Sequence, residues 1–185
     1  MVRNSKYNCM ITIEKAKPED ASDIQKIFYE TWLETYPNAK LGITVEDINE
    51  RFKTKLSNEG IQKRAEGIAK ISGNNSVFLV AKDDDLLMGV CFLRKGENEN
   101  QLSTIYVLPS HQKKGIGKMF WNEALKFFDN EKDVIVHVAT FNLGAISFYK
   151  KLGFIDTGKR FYDDNDVMPV SKVKIPEMEM VFKIN

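Results

Sequence analysis

Gln112-Lys113-Lys114-Gly115-Ile116-Gly117-Lys118 is the stretch on which the reading of this chain turns. It falls between a β-type run that ends at Pro109 and an amphipathic run that begins at Lys118. Two glycines let the backbone turn tightly and let a ligand approach the amides. The helix that follows offers free N–H groups and the positive end of its dipole, an arrangement that binds phosphate or pyrophosphate. Lys113, Lys114 and Lys118 add positive charge. Taken alone, the segment reads equally as an anion-binding loop and as a glycine turn with solvated lysines. Three phosphate patterns compete for it. A Walker loop would need glycine at Gln112 and a hydroxyl at Met119, which disfavours ATP or GTP hydrolysis. A dinucleotide fingerprint starting at Gly115 would put its third glycine on Phe120, too bulky for close helix–strand packing. The pattern Q/R-x-x-G-x-G/A is matched in full by Gln112, Gly115 and Gly117.

Outward from this loop, Gln101 to Val107 reads as a strand, and Lys118 to Asp129 as a helix with Phe120, Ala124, Phe127 and Phe128 toward the core. Val134 to Val138 is a short β-branched strand. Ala145, Phe148, Tyr149 and Leu152 follow i, i+3, i+4, i+7 spacing, with Gly153 as a C-cap. Phe154 and Ile155 restart a strand, and Asp163 to Asp166 read as a polar loop. Alternation at Met178, Met180, Phe182 and Ile184 predicts a last strand that closes the sheet. Toward the N-terminus, Val77–Ala81 and Leu86–Leu93 form a hairpin around Asp83-Asp84-Asp85, and Glu97 to Asn100 is turn-like. Ile11, Ile13 and Ala16 suggest a short first strand. Pro18-Glu19-Asp20 then opens a helix carrying Ala21, Ile24, Ile27, Phe28 and Trp32, which fades near Tyr36 before Pro37. Thr44 with Asp47 caps a second helix bearing Ile48, Phe52 and Leu56. Ile61 to Ile71 stays ambiguous, weakened as a helix by Gly60 and Gly67. The order predicts an α/β fold: a mixed, mostly antiparallel sheet flanked by helices on both faces. The 185 residues suit a single domain over 1–185.

Two segments together resemble the GNAT superfamily of N-acetyltransferases. The first is Leu102-Ser-Thr-Ile-Tyr-Val-Leu-Pro109 with Gln112 to Gly117. The second, Asn142-Leu-Gly-Ala-Ile-Ser-Phe-Tyr149-Lys-Lys-Leu-Gly-Phe154, is similar to the family's N-x-x-A-x-x-F-Y-x-x-x-G-F pattern. They lie in order, joined by a helix and a strand, and cover about the C-terminal half of the chain. The resemblance implies a GNAT-like fold and acetyl-CoA as cosubstrate. It also implies backbone hydrogen bonds from Ile105, Tyr106 and Val107 to the pantetheine arm, in a gap where the fourth strand splays from the fifth. The amides of Lys113, Lys114, Gly115, Ile116, Gly117 and Lys118 would hold the pyrophosphate, beside Gln112. Asn142 would contact the cofactor arm, and Tyr149 would protonate the departing thiolate. Beside these implied roles, Ile105, Val107 and Tyr149 also read as core, and Asn142 as an N-cap.

The implied reaction moves an acetyl group directly to a neutral primary amine. A small amine or polyamine is the first choice of acceptor, and a peptide N-terminus or lysine the second. An acyl-CoA-binding module without turnover is the alternative. Where many members of the family carry glutamate, at the start of the fourth strand, this chain has Gln101, which cannot take a proton. Glu99, Glu30 and Glu34 are other carboxylates for the task, and His111 and His137 read more readily as a loop and a strand residue. Trp32, Glu34 and Tyr36 could line the acceptor site, where an aromatic beside a carboxylate suits a cationic amine. Asp163, Asp164 and Asp166 would attract a polyamine or basic peptide, or form a solvated acidic loop.

Composition narrows the remaining classes. Twenty-seven Lys and Arg against 26 Asp and Glu leave a net charge of +1, so no global field favours nucleic acid or an anionic membrane. No metal is expected, since the histidines are distant and no cysteine cluster exists. Cys9 and Cys91 form no C-x-x-C pair, and Cys91 sits in an apolar run that reads as a buried thiol. Arg3 and Lys6 are followed by no apolar stretch of signal-peptide type, and no run approaches a membrane span. The expected setting is cytoplasmic, with a homodimer possible but no assignable surface.

Overall fold

The computed structural model describes residues 10–71 and 74–184; Arg3, Lys6 and Cys9 lie outside the described residues. Among the described residues seven strands form one sheet in the order β1-β2-β3-β4-β5-β7-β6. They are β1 (Thr12–Lys15), β2 (Ser76–Asp83), β3 (Leu86–Lys95), β4 (Asn100–Val107), β5 (Val134–Ala139), β6 (Ile155–Val167) and β7 (Lys174–Phe182). Among the described residues five α-helices accompany them: α1 (Ala21–Thr35), α2 (Val45–Lys53), α3 (Asn58–Ala69), α4 (Ile116–Phe127) and α5 (Leu143–Leu152). Neighbouring strands are antiparallel except β4 and β5, which run parallel. The expected mixed, mostly antiparallel sheet with helices on both faces is therefore what forms.

Local chemistry explains most of the boundaries. Pro18–Asp20 makes a 3-10 turn into α1, which ends at Thr35 before Pro37. Thr44 and Asp47 form a reciprocal capping box on α2, with Asp47 N–H donating to Thr44 Oγ1 at 3.1 Å and Thr44 N–H to Asp47 Oδ2 at 2.9 Å. Leu56, expected on the stripe of α2, falls beyond its end. The ambiguous Ile61–Ile71 stretch lies mostly in α3, which Ser57 caps through the Gly60 amide at 3.3 Å. Gly153 has φ +101° and closes α5, with its N–H on Lys150 O and the Phe154 N–H on Tyr149 O.

Three sequence expectations are corrected. Asp163 to Asp166 is no loop but the continuation of β6, whose backbone pairs with β7 on both sides of an irregularity. The last strand does not lie at the rim of the sheet: β7 inserts between β5 and β6, leaving β6 as the edge. Asn100 belongs to β4 rather than to the preceding turn, and it is fully buried. Its Nδ2 donates to Asp129 O and Lys132 O, both at 2.8 Å, and its Oδ1 accepts from Asp129 N–H at 3.2 Å. A buried amide whose partners are all present costs little and pins the turn between α4 and β5.

The core has three parts. One lies between the sheet and α4 with α5, around Phe120, Trp121, Leu102, Tyr149 and Met180. A second packs α1 and α3 on β2 and β3 through Ile24, Ile27, Ile68 and Val80. A third joins the end of α1, α2 and β7 through Tyr36, Ile48, Phe52 and Ile175.

Candidate active site

The site begins where β4 and β5 part. Their pairing is confined to Asn100 with Val134 and Gln101 with Ile135. The next residues of β4 carry a bulge: Leu102 faces Leu93 and Thr104 faces Phe92, leaving Ser103 without a partner on β3. The extra residue turns the strand. Leu102, Ile105 and Val107 pack toward the α4 side, while Tyr106 packs toward α1. Beyond Gln101, the β4 edge toward β5 has no strand partner, so a gap with free backbone polar groups opens between them.

The glycine loop lies at the far end of this gap. Gln112 Nε2 donates to Val107 O at 3.2 Å, which ties the loop to the end of β4. Lys113 and Gly115 take left-handed conformations, φ +62° and +86°. Among the described residues, the backbone N–H groups of 113 to 118 find no acceptor in the chain. Lys113, Lys114 and Lys118 are exposed, whereas Ile116 is buried with its side chain in the core. Gly115 is required by its positive φ. Gly117 is required by packing, since a Cβ there would lie 2.9 Å from the Phe148 ring.

Asn142 and Tyr149 come from α5. Asn142 caps the helix, its Oδ1 accepting from Ala145 N–H at 3.0 Å, which leaves Nδ2 available. Tyr149 is 6% exposed and packs between Phe148 and Phe154. Burial, with smaller contributions from Tyr106 and Cys91, holds its phenol well above the usual tyrosine range. Its hydroxyl has no hydrogen-bond partner among the described residues. Cys91 is buried and its thiol is likewise pushed up by burial, so a thiolate nucleophile is disfavoured there.

On the α1 side of the gap lies a cleft of about 310 Å³, lined by residues that include Phe28, Trp32, Tyr36, Gln101, Tyr106 and Glu177. Trp32 stacks on Tyr36 at 4.1 Å between ring centroids. Trp32 Nε1 donates to the Tyr106 hydroxyl at 3.1 Å, and the Tyr36 and Tyr106 hydroxyls lie 3.4 Å apart. Burial raises both phenols; for Tyr106 the bonds from Tyr36 and Trp32 act the other way. Of the three expected acceptor residues, Trp32 and Tyr36 line the cleft. Glu34 is exposed and outside it, because at helical pitch it points away from the i, i+4 pair. Glu30 and Glu99 are also exposed outside the cleft. His111 stays beside the glycine loop, 2.9 Å from Ser110 Oγ. His137 does line the cleft, with Nε2 3.4 Å from Glu179.

The sequence reading missed Glu177. It sits on β7 opposite Ala139 of β5, and burial, then Asp166 and Asp163, raise its carboxyl above the usual glutamate range. Its signal was available: Glu177 and Glu179 alternate with the buried Met178 and Met180, so they face the other side of the sheet. Asp166 also lines the cleft and forms an ion pair with Arg51, whose guanidinium lies 4.7 Å from the Trp32 ring centroid. Among the described residues no group of three His, Cys, Asp or Glu could hold a metal ion, and no helix is long and apolar enough to cross a membrane.

A sheet split at a bulged strand, with open amides at one end and a polar cleft on one face, defines the acyl-CoA N-acyltransferase class of fold. The chain belongs to the acetyltransferase (GNAT) family, whose profile matches residues 25–154; members use acetyl-CoA as cosubstrate. A probable N-acetyltransferase, san, of Drosophila melanogaster is 32% identical over 88 residues, 43% of this chain; the chain spans about half (48%) of that relative's length. The crystal structure of PaiA N-acetyltransferase from Thermoplasma acidophilum, in complex with coenzyme A, is similar at TM-score 0.69 and 27% identity, over 94% of this chain and 99% of that one. A spermidine N-acetyltransferase SpeG chimera from Vibrio cholerae and hSSAT shares the fold at TM-score 0.61 and 19% identity, over 93% and 94% of the two chains.

Proposed function

We propose that this protein transfers the acetyl group of acetyl-CoA directly to a primary amine bound in the cleft. The observation that carries this reading is the β4–β5 gap, with unpartnered loop amides at one end and Tyr149 on α5. The exposed edge of Ile105, Tyr106 and Val107 pairs with the amide-containing arm as a sheet edge pairs with a peptide. The amides of 113 to 118 take the pyrophosphate at the start of α4, helped by Lys113, Lys114 and Lys118. Asn142 Nδ2 is free to donate to the arm because Oδ1 is engaged by the helix cap.

The acceptor is a primary amine: a small amine or polyamine first, a peptide N-terminus or lysine second. The aromatic walls of Trp32, Tyr36 and Tyr106 beside carboxylates support binding of the cationic form. Glu177 takes the proton that frees the lone pair, since Gln101 cannot and a carboxyl with a raised pKa is matched to that task. The amine nitrogen attacks the thioester carbonyl carbon, the C–S bond then breaks, and the Tyr149 hydroxyl gives its proton to the leaving thiolate.

Calorimetric titration with acetyl-CoA tests the cofactor site, with Lys113→Glu/Lys114→Glu as the control because both side chains are exposed. Charge reversal is expected to weaken binding at least about tenfold. Thiol release across an amine panel tests turnover, and Tyr149→Phe is expected to lower kcat about a hundredfold with the acetyl-CoA KM unchanged. No binding by folded wild-type protein would overturn the proposal. Binding without release from any amine would leave a non-catalytic acyl-CoA-binding module.

A further inference from the structure

The cleft is not simply acidic. Its carboxylates are Asp166 and Glu177, and its cations are Lys55 and Arg64. Asp166 is already engaged by Arg51, which also donates to Val167 O at 3.4 Å. Counting Arg51 and Asp166 as one ion pair, the cleft holds Glu177 and two further cations, with Asp166 still close enough to Lys55 to act on it. Among the described residues, neither Lys55 nor Arg64 has a carboxylate partner.

Both cations are held in place by neutral neighbours. The Arg64 guanidinium lies over the Phe28 and Phe78 rings, 5.3 and 5.8 Å from their centroids. Among the described residues its one hydrogen bond is a long one, 3.4 Å, to Gln25 Oε1, and its Nε is sealed without a partner. Gln25 is 3% exposed and donates through Nε2 to Lys55 O at 3.0 Å, which fixes the backbone of Lys55 beside Arg64. The Lys55 ammonium lies 5.0 Å from the Phe52 ring centroid. Partial burial, then repulsion from Arg51 and Arg64, holds the Lys55 pKa below the usual lysine range. The Arg64 guanidinium, with its Nε sealed and unpartnered, is costly in a partly desolvated cleft unless an anion completes it, and the exposed Lys55 ammonium adds a second positive charge beside it.

We propose that the acceptor carries an anionic group alongside its amine, and that Lys55 and Arg64 receive it while Glu177 faces the amine. The acceptor is then an amino acid or another amine joined to a carboxylate or phosphate. A polyamine would set a further ammonium against these cations. This rests on the acetyltransfer reading of the same cleft and chooses among its acceptors.

The test is thiol release from acetyl-CoA by the full chain with matched acceptors: ω-amino carboxylates of graded length, their amides, aminoalkyl phosphates, and spermidine. The carboxylate or phosphate series is expected to exceed the amides in kcat/KM by about tenfold or more. Lys55→Gln and Arg64→Gln are expected to cut that ratio about tenfold, with the acetyl-CoA KM unchanged. Lys55 is exposed, so its variant reports even if the loss of Arg64 from its aromatic stack disturbs folding. Amides or spermidine turned over as well as the anionic acceptors would overturn the inference and leave acetyltransfer standing. An unchanged ratio in folded Lys55→Gln and Arg64→Gln would also overturn it. Acetyl-CoA binding without release from any acceptor would sink the acetyltransfer reading and this one together.

Discussion

Under the proposed reaction, Glu177 would owe its role as base to neighbours remote in sequence. An exposed glutamate is almost fully ionised at neutral pH and a poor match for an amine proton. Burial against β5 and β6, and the charges of Asp166 and Asp163, raise its carboxyl. A base acts only when deprotonated, so the rate must fall as pH drops through this raised pKa. The acid limb of kcat/KM is therefore expected at a midpoint above the ordinary glutamate value of about 4.3. Glu177→Gln should lower kcat/KM about a hundredfold and remove that limb. A variant with wild-type rate and an unaltered limb would pass the task to another group that lines the cleft, His137 being the first to test. Glu34 and Glu99 were equally visible as carboxylates in the sequence. What separates them from Glu177 is the sheet order, because only the insertion of β7 beside β5 brings Glu177 to the cleft.

At the scale of elements, the start of α4 and α5 come close where Gly117 faces Phe148. Gly115 and Gly117 look alike in the sequence, yet only Gly115 has a positive φ. Gly117 lies within α4, where alanine would ordinarily stabilise by about 0.5–1 kcal/mol. Here the added methyl meets Phe148 Cζ at 2.9 Å and Cε2 at 3.0 Å, so the sign is expected to reverse. Gly117→Ala should lose about 1–3 kcal/mol in denaturant unfolding, as overpacked sites do. Adding Phe148→Leu should restore at least half, the signature of a direct pair in a double-mutant cycle. A Gly117→Ala chain at least as stable as wild type would mean that the ring rotates away freely. The strand–glycine loop–helix unit was legible because its signals are local: glycine spacing, the strand before it and the helix after it. The same locality made the capping box on α2 and the Gly153 closure of α5 readable. Asp163 to Asp166 misled for the same reason. Acidic residues signal a loop by propensity, but β6 runs on through them because its backbone pairs with β7 on either side, at Tyr162 and Val167.

Across the whole molecule, the cleft depends on segments more than a hundred residues apart being held together, and Asp47 is a principal tie. Its capping role on α2 uses Oδ2, toward the Thr44 N–H and hydroxyl, both at 2.9 Å. Its Oδ1 accepts from Val170 N–H at 3.0 Å and Ser171 N–H at 2.8 Å, in the turn between β6 and β7. The side chain is fully buried, and it clamps α2, which supplies Arg51 and Phe52, to the strands that supply Asp166, Ile175 and Glu177. Burial opposes the charge, but hydrogen bonds from Ser171 and Thr44 outweigh it and hold the carboxyl well below the usual aspartate range. A depressed pKa in the folded state means that this stabilisation is complete above the unfolded value of about 3.9 and drains away as pH falls through the folded one. Asp47→Asn is therefore expected to cost about 2–4 kcal/mol at neutral pH, because a charged acceptor of several buried donors is replaced by an amide. The gap between wild type and variant should hold constant from pH 7 to about pH 5 and shrink steadily below about pH 4. Denaturant midpoints measured across that range decide the matter. A gap that does not change with pH would mean that the contact acts through shape alone and that the charge on Asp47 contributes nothing to holding the walls of the cleft together.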